Sequence, residues 1–110
     1  MVDKRTHFRK SVETEAWLAD VLGNTWNPVR LMDISIGGAA IILEEELHTG
    51  ATRMLRFSLP GSTERLVFAA RIAYCTKHTF LAGYRVGVEF IRRDGHAVAV
   101  IEKFIQDSAK

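Results

Sequence analysis

The sequence predicts an all-β domain: a small six-stranded antiparallel β-barrel with a C-terminal α-helix. Three observations predict it. Short stretches alternate apolar and polar residues, the period of a strand with one buried face. Gly and Pro punctuate the chain between those stretches, and a small sheet with such turns leaves few exposed edges when it curls into a barrel. Only the last segment changes to helical spacing. A chain of 110 residues with 47% apolar content suits one domain and one modest core.

The first ten residues, 1–10, read as a basic N-terminal arm. Lys4, Arg5, Arg9 and Lys10 crowd it, with Asp3 as the only acid, and Phe8 is its only large apolar group. Phe8 is expected to tack the arm onto the domain; stacking on a base is the alternative. Residues 11–110 then form a single barrel domain. From Val12 to Leu22, apolar Val12, Ala16 and Leu18 alternate with Glu13, Glu15 and Trp17, which predicts a strand. Gly23-Asn24 marks a turn, and Asn27-Pro28 bends the chain again before Val29. Trp17 and Trp26 are expected to pack on or near the sheet.

The apolar-rich Val29 to Met32 leads into Asp33-Ile34-Ser35-Ile36-Gly37-Gly38 and then Ala39 to Leu43. The glycine pair predicts a sharp turn with positive φ between two strands. Leu55, Phe57 and Leu59 alternate with Arg56 and Ser58, and Pro60-Gly61 ends that strand. Leu66, Phe68, Ala70, Ile72 and Tyr74 keep a period of two. Tyr84, Val86, Val88 and Phe90 do the same, with Arg85, Gly87 and Glu89 on the other face. Gly87, in mid-strand, predicts a bend or a close approach by another element. Asp94 suits a helix N-cap, and Ala97, Val98, Ile101, Phe104 and Ile105 then form one apolar stripe. That helix is expected to plug an open end of the barrel; partner binding is the alternative.

Composition narrows the function classes. A net charge of +2 is too small for a nucleic-acid coat. The basic arm set against the acidic run Glu44-Glu45-Glu46 favours a small anionic ligand over a long polyanion. The single Cys75 excludes an intrachain disulfide and fits a reducing cytosol. No apolar stretch reaches the ~18–20 residues that span a bilayer, and residues 1–10 lack a signal-peptide core. A cytoplasmic protein without membrane insertion is expected. His7, His48, His78 and His96 are scattered without metal-ligand spacing. Cys75 and His78 do not make a convincing catalytic pair, and no phosphate-cradling glycine loop is present. The expectation is a receptor and not an enzyme, with no catalytic residue, no metal site and no cofactor.

Two motifs carry a positive signal. In an extended backbone Asp33 and Ser35 point to one face, beside glycine backbone that cannot block a flat ligand. A carboxylate there accepts from the ring N–H and amino group of a nucleobase. The same residues also suit an Asx or Ser turn that merely closes a hairpin. Earlier, Arg5-Thr6-His7-Phe8-Arg9 sets two guanidinium groups four positions apart. A guanidinium grips phosphate, pairs with guanine O6 and N7, or stacks on a base. Arg-x-x-x-Arg followed by Asp-x-Ser-x-x-Gly resembles the PilZ family, bacterial receptors for cyclic di-GMP. Gly87-Val88-Glu89-Phe90 and the closing apolar helix fall where that family has them, so the resemblance spans nearly the whole chain.

The resemblance implies cyclic di-GMP as ligand. It assigns Arg5 and Arg9 to guanine and phosphate contacts, and Asp33, Ser35 and Gly38 to the opposing strand surface. Lys4 could add a phosphate contact. The chemistry agrees: Asp33 can accept from guanine N1 and N2, which adenine cannot offer. On this reading the arm is loosely ordered until ligand fixes it, and a downstream protein partner reads the change. A protein-interaction adaptor with weak or no nucleotide binding is the alternative. Single-stranded nucleic acid would need an aromatic-studded basic face, which Arg85, Gly87 and Glu89 do not supply.

Overall fold

The alternation of Val12, Ala16 and Leu18 with Glu13, Glu15 and Trp17 becomes strand β1 (Lys10–Ala19), with the first set buried. The computed structural model describes residues 9–78 and 82–108. It continues through β2 (Trp26–Ile34), β3 (Gly38–Leu43), β4 (Thr52–Phe57), β5 (Leu66–Lys77), β6 (Tyr84–Phe90) and helix α1 (Gly95–Ser108). The strands close into a barrel in the order β1-β2-β3-β6-β5-β4, every neighbour antiparallel. Closure leaves no edge strand among the described residues to pair with another chain. The sequence-predicted fold is the observed one.

Alternating residues of all six strands fill the interior, among them Leu18, Leu31, Ile41, Leu55, Phe68 and Val86. Each such side chain stabilises the fold by about 1.5–3 kcal/mol when it leaves water. Phe57, Phe68 and Phe90 stack in the core, with the Phe68 and Phe90 centroids 4.0 Å apart. The helix closes the barrel end at which β2, β4 and β6 finish. Its Ala97 and Ile101 enter the core, while Val100, Phe104 and Ile105 pack against it. Asp94 caps it as expected, its carboxylate accepting from the Ala97 amide at 3.1 Å. At the opposite end, buried Arg53 donates from Nε to the Ala19 carbonyl and pairs with Glu45 at 3.6 Å.

Three local expectations differ from the structure. First, β1 stops at Ala19, so Val21 and Leu22 do not continue it; they stand at the hairpin tip. The Asp20 side chain ends the strand by accepting from the Asn24 and Thr25 amides and the Thr25 hydroxyl. Second, the glycines with positive φ are Gly23, Gly50, Gly61 and Gly83; Gly37 and Gly38 are not among them. The turn after β2 needs Gly38 for space instead. Gly38 lies opposite Glu89 on β6, and a Cβ there would run into the Val88 carbonyl oxygen. Third, Tyr74 does not follow Ile72 inward. The β5–β6 register slips between Ile72 and Tyr74, and the extra residue turns Tyr74 to the outside.

Candidate functional site

The site is a row of residues across the outer wall of the barrel, made by two β-bulges. Along β2, Leu31 faces the core, and strict alternation would send Asp33 inward as well. The register between β2 and β3 shifts between Leu31 and Asp33, which reverses the parity and puts Asp33 outside. The bulge at β5 does the same for Tyr74. Successive pairings then set Ser11, Asp33, Ala40, Gly87 and Tyr74 side by side across five strands. Ala40, in the middle of this row, is fully buried, and Gly87 is buried beneath its neighbour Tyr74. The Tyr74 ring lies where a Gly87 side chain would otherwise stand, and Tyr74 stays 38% exposed. The close approach predicted at Gly87 is therefore the tyrosine ring.

Asp33 is the anchor of the row. Its side chain is 15% exposed and receives two guanidinium groups on separate oxygens: Arg9 Nη1 at 2.7 Å from Oδ1, and Arg85 Nη2 at 3.1 Å from Oδ2. Arg9 comes from just before β1, Asp33 from the end of β2 and Arg85 from β6; the β1–β2 hairpin and the non-local β3–β6 pairing bring them together. Two cations around one carboxylate leave the cluster net positive. A charge-assisted donor of this type is suited to phosphate, and a carboxylate oriented by guanidinium groups is suited to an amidine-like edge such as that of guanine. One row further, Arg71 pairs with Glu89.

Ser35 and Gly38 are brought together with each other rather than with Asp33. β2 ends at Ile34, so the alternation that would place Asp33 and Ser35 on one face does not reach Ser35. Ser35 is buried, and its hydroxyl serves the turn, accepting from the Gly37 amide at 3.2 Å and donating to the Gly38 carbonyl at 3.3 Å. The Ser35 amide also donates to that carbonyl at 2.9 Å. The turn-closing alternative thus describes Ser35, while Asp33 faces outward and is free of the turn. Lys4, Arg5 and Phe8 lie outside the described residues. Sequence reasoning missed Arg85 and Tyr74 as members of the site. Arg85 was legible as an outward residue, but its partner lies fifty-two positions away. Tyr74 was hidden by a bulge that no local pattern announces.

A family model for the PilZ domain matches residues 3–107. No curated protein sequence matches the chain. Among solved structures, the Bacillus subtilis inhibitor of motility, MotI/DgrA, superposes with a TM-score of 0.81 at 14% identity, over 98% of this chain and 53% of that one. Escherichia coli YcgR in complex with c-di-GMP gives 0.78 at 20% identity, over 98% of this chain and 47% of that one. The MrkH–c-di-GMP complex of K. pneumonia gives 0.76 at 18% identity, over 98% and 53%. The chain thus spans about half the length of these proteins, and at such identities they share its fold. With the family model covering all but the chain's extreme ends, and a closed six-stranded barrel with a C-terminal helix beneath it, the chain belongs to the PilZ domain family.

Proposed function

We propose that this protein is a receptor for cyclic di-GMP that performs no chemistry and passes the signal to a protein partner. One observation carries the reading: Arg9 from the first motif and Asp33 from the second meet on the outer wall, with Arg85 on the same carboxylate. Relatives of the same fold, YcgR and MrkH, have been solved with c-di-GMP bound, which supports the choice of ligand.

In this mechanism Arg9 exchanges its contact with Asp33 for a ligand phosphate or the guanine O6 and N7 edge. Asp33 then accepts from guanine N1–H and the N2 amino group. Arg85 keeps its hold on the second carboxylate oxygen and so fixes the angle of the acceptor. Tyr74 offers an aromatic face at the far end of the row. Ser35 and Gly38 act through the turn: they seat the end of β2 so that Asp33 emerges at the right register. Arg5, with Lys4, would supply the second set of cationic contacts from the arm. The absence of any helix long and apolar enough to cross a membrane among the described residues fits a receptor for a diffusible ligand.

Titration calorimetry with cyclic di-GMP, cyclic di-AMP and GTP tests the reading. Saturable binding of cyclic di-GMP, with the other two much weaker, is expected. No heat from cyclic di-GMP well above micromolar concentration overturns it, and leaves the adaptor reading in its place.

A further inference from the structure

The wall that carries Asp33 is not the only part of the barrel surface with unused chemistry. On β1, β4 and β5, Trp17 pairs with Arg56, and Arg56 with Val67. Cross-strand partners share a face, and Trp17, Arg56 and Val67 alternate with buried Leu18, Leu55 and Phe68, so this face is the outside. Trp26 reaches the same place from β2. The Arg56 guanidinium carbon lies 4.5 Å from the Trp26 ring centroid and 5.4 Å from that of Trp17, a cation held between two indoles. Val67 and Met54 beside it are 47% and 38% exposed.

Arg56 has neither an ion pair nor a hydrogen bond among the described residues, and its Nε is buried without a partner. A buried donor left unmatched carries a desolvation cost that an incoming acceptor would relieve. The same surface runs on into the β1–β2 hairpin. There Val21 and Leu22 are 81% and 79% exposed, on a turn that Asp20 stiffens through three hydrogen bonds. A firm turn that holds two aliphatic side chains in water, next to two tryptophans and an unpaired arginine, has the composition of an interface centre.

We infer that this wall docks a segment of a protein partner that presents apolar side chains around a carboxylate, the carboxylate seated on Arg56. Charge decides the occupant. Arg56 is the patch's unpaired cation, and the carboxylate of the hairpin, Asp20, is already held by Asn24 and Thr25, so a second copy meeting the patch across a two-fold axis would oppose arginine to arginine without a free counterion. Nucleic acid fits poorly as well: Arg56 already lies over one face of each indole, and among the described residues of the patch no further cation tracks a phosphate backbone. The inference does not depend on nucleotide binding, because the Arg9–Asp33–Arg85 cluster shares no residue with the patch.

A random peptide library panned against the full chain, with enriched peptides measured by fluorescence anisotropy, tests it. Enriched sequences are expected to share an Asp or Glu among apolar residues. Arg56→Glu should weaken them at least tenfold, and so should Leu22→Glu and Val67→Glu, two exposed positions whose variants keep the fold whatever happens to the Arg56 stack. Saturating cyclic di-GMP or Arg85→Ala should leave the peptide site in place. No enrichment, enrichment without a carboxylate, or indifference to these three variants overturns the inference. So does a concentration-dependent dimer in sedimentation that Val67→Glu abolishes, which would make the second copy the occupant. Binding of oligo-dT that is lost in Trp17→Ser would overturn it in favour of nucleic acid.

Discussion

Gly38 and Asp33 separate what the motif does for the fold from what it is proposed to do for the ligand. Gly38 is buried against β6, where the Val88 carbonyl occupies the space of a side chain. Gly38→Ala is therefore expected to lower stability by about 1–3 kcal/mol, since the obstacle is backbone and cannot rotate away. Chemical denaturation without ligand measures this, and an unchanged midpoint would contradict it. Asp33 serves differently: it faces outward, and among the described residues its carboxylate pairs with Arg9 and Arg85. Asp33→Asn removes the charge and introduces an amide donor while keeping the size. Weaker binding of cyclic di-GMP with a nearly unchanged melting temperature is the expected outcome. Unfolding of that variant would make Asp33 a structural residue instead. Both residue types were legible in the sequence as a motif, but the division of labour was not, because burial and register decide it.

Elements depend on their ends, and two of these ends make measurable predictions. The Asp20 carboxyl is held below its ordinary value of 3.8, chiefly by the Asn24 amide and further by the Thr25 amide and hydroxyl, against the opposing effect of burial. A lowered folded value means that the carboxylate stabilises the hairpin above 3.8 and that this contribution is lost as pH falls through the folded value. The melting-temperature gap between the wild type and Asp20→Ala should therefore be present near neutral pH and shrink in acid. A gap independent of pH would show that the charge is not what holds the turn. At the other end of the chain, Asp94 caps α1 through the Ala97 amide. Asp94→Ala should cost about 1 kcal/mol of stability by denaturation. The cap was readable from local chemistry; the end of β1 at Ala19 and the bulges near Asp33 and Tyr74 were not, and a slipped register is a property of two strands together.

At the scale of the molecule, the non-local pairing of β3 with β6 is what assembles the candidate site, joining Arg85 to the Arg9–Asp33 pair of the β1–β2 hairpin. Arg9→Ala should weaken cyclic di-GMP by ~2 kcal/mol or more, about thirtyfold in Kd, while the barrel melts almost as before. The arm supplies a second test, because it offers trypsin Lys4, Arg5, Arg9 and Lys10. Saturating cyclic di-GMP is expected to slow cleavage there strongly; equal rates with and without ligand would remove the arm from the mechanism. The sequence by itself determined the all-β class, the six strands, the helical stripe and the two motifs, because alternation, turn residues and caps act over a few neighbours. Only the tertiary structure decided that Tyr74 lies outside, that Arg85 joins Asp33, that Ser35 closes a turn, and that Arg56 sits between Trp17 and Trp26. Each of these rests on which strands pair and in what register, and that is set by burying one common core rather than by any local pattern.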